Sequence, residues 1–187
     1  MGVEPWAAWA ENATEATVAL VAAQVDTAAE TLSALGAVTS CEPMSFIEAL
    51  ELQGSFYDDG TDAQQGLFQV DRLSGDGRDW WAIVEPNGFR LSLASNLLTV
   101  TADLGVAFFW NINAVMRVVK VDHEAVIADF DPLIDVDQIP DEGQDLPFES
   151  TPRSASMSLL ERWTGVKITQ SWFEASKPTL IVRAPTE

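Results

Sequence analysis

Gly105-Val106-Ala107-Phe108-Phe109-Trp110-Asn111-Ile112 opens the stretch that decides the fold, and runs of the same kind follow it at 113–121 and 124–130. All three are rich in Val, Ile, Phe and Trp, which suit a pleated, half-buried surface. Asp122-His123 stands between the second and third as a tight turn. Runs so closely spaced join as antiparallel neighbours, because a parallel crossover needs a dozen residues or more. The stretch predicts a β-meander.

Upstream, Leu67, Gln69 and Asp71 alternate with Phe68, Val70 and Arg72 up to a hairpin turn at Ser74-Gly75-Asp76-Gly77. The partner strand at 79–85 places Trp80, Ala82 and Val84 on one face and Trp81, Ile83 and Glu85 on the other. Pro86-Asn87-Gly88 ends it as a turn. A further strand is expected at 17–25, where Val18 and Leu20 alternate with Thr17 and Ala19.

Helices announce themselves by capping boxes, in which a hydroxyl and a carboxylate three residues on satisfy each other's orphan amides. Thr27 with Glu30 starts one helix, read to Gly36, and Ser45 with Glu48 starts a second, read through Leu52. Residues 54–66 read as a loop and 92–99 as a short helix. Residues 131–152 form an acidic, proline-bearing loop without either periodicity. A helix at 154–164, closed by Gly165, a short helix at 170–175 and a strand at 179–183 complete the chain. The sum is a single α+β domain over 1–187: a mainly antiparallel sheet of about six to seven strands with helices packed on one face.

The 187 residues carry 29 Asp and Glu against 10 Lys and Arg, a formal charge of −19. Residues 1–71 hold twelve acidic side chains and no basic one; 121–152 hold ten and again no basic one. Nucleic-acid binding and anionic membranes are disfavoured, since both require clustered positive charge. No basic leader segment and no apolar run of spanning length is visible, so a cytoplasmic protein is expected. Cys41 and His123 are the only cysteine and histidine, too few for a transition-metal site and without a nucleophile motif around them. No cofactor, catalytic set or metal site is read. The carboxylates Asp129, Asp131, Asp135, Asp137, Asp141, Glu142 and Asp145 are dense enough for calcium, yet no EF-hand spacing exists, and they are read as an acidic face.

Glu85, Asn87, Asn111, Asn113 and Arg117 form the remaining polar set. On a strand, Asn111, Asn113 and Arg117 would share a face, which would make either a small ligand pocket or a polar network fixing strand register.

Four blocks together resemble a domain-of-unknown-function family common in actinobacteria: Trp81-Ala82-Ile83-Val84-Glu85-Pro86-Asn87-Gly88-Phe89, Phe109-Trp110-Asn111-Ile112-Asn113-Ala114-Val115, Phe130-Asp131-Pro132-Leu133 and Leu160-Glu161-Arg162-Trp163-Thr164-Gly165-Val166. The resemblance spans about residues 16 to 183. It implies one small α+β domain and brings no known catalytic residue, cofactor or substrate.

Two functions are expected. The first is a non-enzymatic acidic interaction protein, such as an immunity protein or inhibitor, whose charge engages a basic partner. The alternative is a small-ligand or enzymatic domain around Glu85, Asn111 and Asn113.

Overall fold

The computed structural model describes residues 5–60, 64–101 and 103–185. The first residues read for a leader, and part of the stretch read as a loop at 54–66, lie outside them. After a 3-10 helix at Pro5–Asn12 come β1 (Ala16–Ala22), α1 (Ala28–Ser33), β2 (Ala37–Met44), α2 (Phe46–Asp58), β3 (Gln65–Gly75) and β4 (Arg78–Pro86). A short 3-10 turn, Arg90–Ser92, leads into α3 (Ala94–Val100), and β5 (Leu104–Trp110), β6 (Met116–Asp122) and β7 (Ala125–Phe130) follow. Two more 3-10 turns lie within 136–143. The chain finishes with α4 (Pro152–Thr164), α5 (Gln170–Glu174) and β8 (Lys177–Arg183).

The α+β architecture is the one the sequence predicts. All strands belong to one antiparallel sheet, ordered β2-β8-β3-β4-β1-β5-β6-β7. There are eight strands rather than six to seven. The addition is β2, whose Glu42 and Pro43 obscure any strand period and are tolerated because β2 is an edge. The first hairpin turn is as read, Asp76 and Gly77 both taking positive φ between β3 and β4; the second lies one residue later than expected, at His123 and Glu124 between β6 and β7, because Asp122 still pairs in β6.

Helices cover both faces of the sheet, not one. Val18, Leu20, Trp80, Phe108 and Trp110 face a core completed by α4, Phe46 of α2 and Phe173 of α5. Ala19, Val21, Trp81, Ile83 and Ala107 face a second core with Leu32 of α1 and Leu97 of α3. Strand β1 is consequently buried along all seven residues. Its composition permits either outcome, since an apolar strand without polar alternation suits a sheet covered twice.

Both capping boxes form. The Thr27 and Ser45 hydroxyls accept from the Glu30 and Glu48 amides, and those carboxylates accept from the Thr27 and Ser45 amides. Helix α2 runs on to Asp58, through part of the expected loop, because Phe46, Ala49, Gln53 and Phe56 keep a buried stripe at helical spacing. Helix α1 stops at Ser33 with Ala34 as its cap, and Gly36 instead lies where a Cβ would enter the β8 backbone at Arg183. Gly165 caps α4 in the left-handed conformation, as expected.

Candidate functional site

Strand β4 carries Glu85 onto the face covered by α1 and α3, where its side chain is completely buried. Arg90 Nη1 donates to Glu85 Oε1 at 2.9 Å, and the Leu91 amide donates to Oε2. Arg90 Nη2 donates to the Gln65 carbonyl, tying the start of β3 to the same group. Burial pushes the Glu85 carboxyl up from its ordinary range, and Arg90 opposes the rise. Gly88 lies against this carboxylate so closely that a Cβ would overlap it. The Thr17 hydroxyl donates to the Gly88 carbonyl and the Tyr57 hydroxyl to that of Asn87, fixing the turn in which Asn87 takes φ +46°.

Asn111 and Asn113 lie in the turn between β5 and β6 rather than on a strand. Asn111 Oδ1 accepts from the amides of Asn113 and Val115, an Asx turn, while Asn113 is exposed. The side chain's local backbone bonding ends the strand at Trp110, which period-2 reasoning does not detect. Arg117, on β6, makes a two-pronged pair with Asp129, both contacts at 2.7 Å. That pair holds the guanidinium charged and raises its pKa. Register places Glu85 opposite Thr17, Thr17 opposite Phe109 and Phe109 opposite Arg117. Glu85 and Arg117 are thus three strand spacings apart, about 14 Å. The five polar residues serve a buried ion pair, two turns and a cross-strand pair, and do not converge on one pocket.

The carboxylates of the acidic stretch are half-buried or exposed, and most of them bond to their own chain. Asp129 holds Arg117. Asp131 accepts from the amides of Met116 and Leu133, and Asp135 from that of Asp131. Asp145 pairs with Arg162, which lowers the Asp145 pKa, and Glu142 lies 3.9 Å from Lys120. Asp137, Asp141, Glu142 and Asp145 are exposed.

Every one of the ten Lys and Arg side chains has an intramolecular partner. Seven pair with carboxylates: Arg72, Arg78, Arg90, Arg117, Lys120, Arg162 and Lys167. Arg153 donates to the carbonyls of Glu11, Ala13 and Asn111, Lys177 to those of Phe173 and Ala175, and Arg183 to the Gln65 side chain. In contrast, α2 turns Glu48, Glu51, Ser55 and Asp58 outward at helical spacing, with exposed Glu42 before it and Asp59 after it.

Beside that face is a cleft of about 340 Å³, lined by Trp9, Asn12, Ala13, Thr14, Phe46, Ile47, Gln170, Phe173 and Glu174. The Phe173 ring lies 4.7 Å from Trp9 and 4.4 Å from Phe46, so the floor is aromatic. Ile47 at the rim is 56% exposed. Asp103, Asp122 and His123 form the one group among the described residues whose ligand atoms are close enough for a metal ion. Arg78 already occupies Asp103 there, and the neighbouring Asp122 carboxylate raises the His123 pKa from its ordinary value.

A family model matches residues 6–184, nearly the whole chain; its description is a family of unknown function, DUF6461. The chain belongs to DUF6461. No curated protein and no solved structure matches it.

In this DUF6461 chain the Glu85–Arg90 turn and the Asn111 turn lie at the same end of the sheet. Their residues build structure, and among the described residues none sets a nucleophile against a base. The acidic face of α2 and the neighbouring cleft are what sequence reading missed. The signal was present in the spacing of Phe46, Ala49, Gln53 and Phe56, which leaves Glu48, Glu51 and Asp58 on the opposite side.

Proposed function

We propose that this DUF6461 protein is a non-enzymatic interaction protein that binds a basic protein partner, an immunity protein or inhibitor being its concrete form. The supporting observation is the complete internal use of positive charge: all ten cationic side chains are engaged within the fold, while acidic side chains on α2 face outward. Such a surface repels anions and other acidic proteins, and it steers a basic partner into encounter. The polar set around Glu85, Asn111 and Asn113 lends the enzymatic alternative no support, because its members are separated and structurally engaged.

The immobilised protein is expected to retain a basic protein from a lysate of its own host at low salt and release it at high salt. The double variant Glu51→Lys with Asp58→Lys is expected to abolish retention. Asp26→Lys with Glu149→Lys, equal in charge change, is expected to keep it. Retention of no basic protein, or equal loss in both variants, would overturn the reading.

A further inference from the structure

We propose that the cleft between the N-terminal 3-10 helix, α2 and α5 receives an arginine side chain of the basic partner; this rests on the acidic-interaction reading and names its anchoring contact. Three observations carry it. First, the cleft combines an aromatic floor with a carboxylate at its rim. Trp9, partly exposed, supplies ring surface over the buried rings of Phe46 and Phe173, and the exposed Glu174 carboxylate ends α5. A guanidinium stacks on aromatic rings and pairs with a carboxylate through planar, forked donors, a combination that an ammonium matches less well.

Second, no Lys or Arg side chain lines the cleft, and the two cations beside it, Arg153 and Lys177, are bound to the carbonyls of Ala13 and Phe173. Among the described residues no Lys or Arg pairs with Glu174, whose Oε1 accepts only an amide N–H from Gln170. The amide orients the carboxylate without neutralising it. The Glu48 carboxylate caps the α2 N-terminus at the opposite wall, held ionised by its bonds to Ser45, and so cancels the positive helix end there.

Third, the cleft adjoins the acidic face. Ile47 on its rim lies one helical turn from Glu51 on α2. A partner drawn to the acidic helix would deliver a side chain directly over Ile47 and Trp9. Buried aromatic–arginine anchors surrounded by a charged rim are the usual form of an energetic centre in a protein interface.

The test is nuclear magnetic resonance titration of the full chain with N-acetyl-arginine amide, read at the Trp9 indole N–H, which donates to the Ile168 carbonyl at the cleft wall. A saturable shift is expected, with N-acetyl-norleucine amide giving none, and Glu174→Gln is expected to weaken the arginine amide about fivefold, the upper end for a partly exposed pair. No saturable shift, an equal response to both amides, or unchanged affinity in Glu174→Gln would overturn the inference. Salt-dependent retention of a basic protein by a chain whose cleft ignores the arginine amide would sink the anchor alone. Loss of that retention would sink the reading beneath it.

Discussion

Glu85 and Arg90, five residues apart across the Pro86–Gly88 turn, meet at 2.9 Å with Glu85 fully buried and Arg90 only 24% exposed. One element of the second core is thereby a charge whose single cationic counterpart sits on the following turn. A buried carboxylate left unpaired is far costlier than the pair itself is stabilising. Arg90→Ala is therefore expected to lower unfolding free energy by about 3 kcal/mol. The double variant Glu85→Leu with Arg90→Leu should lose distinctly less. Urea denaturation of the three proteins decides it; equal losses would show that the pair is not what the site depends on.

Gly88→Ala tests the same corner sterically. Its Cβ would overlap the Glu85 carboxylate, so the turn must open and the Thr17 hydroxyl lose its acceptor. A loss above about 1 kcal/mol is expected, with the melting temperature as readout. Gly165→Ala, at φ +70° and against Asp76, should cost a similar amount by straining the α4 cap.

Lys177 is buried, stacks 4.4 Å over Trp172 and has its pKa lowered by burial to about 8. A lysine with a folded pKa below its unfolded value binds fewer protons when folded, so its contribution to stability rises with pH. Wild-type protein should gain stability relative to Lys177→Met between about pH 8 and pH 10, the range between folded and unfolded values. Parallel urea midpoints at the two ends of that range would test it. An unchanging difference would place the Lys177 pKa near its ordinary value.

The α2 cap should behave independently of the sheet. Ser45→Ala removes the hydroxyl that accepts from the Glu48 amide and is expected to cost about 1 kcal/mol. Because Glu48 has a lowered folded pKa, its contribution is present above the unfolded pKa and fades as pH falls through the folded one. Denaturation of Glu48→Gln should lack that acid-side decline; a decline matching wild type would assign it to other carboxylates.

The elements were legible where local chemistry is unambiguous. Both capping boxes, the Asp76-Gly77 turn, the Gly165 cap and the opposed faces of Trp80 and Trp81 all follow from residue type and spacing. Strand β2 was not, because Glu42 and Pro43 belong on an edge and edges carry no hydrophobic period. Asn111 looked like a strand residue because its side chain competes for backbone amides only after the chain has turned. The polar residues were singled out correctly as unusual, but the sequence offered no measure of the strands separating Glu85 from Arg117.

By itself the sequence determined the α+β class, the antiparallel meander and the overwhelming negative charge, since periodicity, turn residues and counts are local or additive quantities. Only the tertiary structure decided that helices cover both faces of the sheet, that every Lys and Arg finds a partner on its own chain, and that the acidic residues of 129–145 mostly bind their own chain. Those outcomes depend on which segments meet across long sequence distances, and pairing energies act through space rather than along the chain.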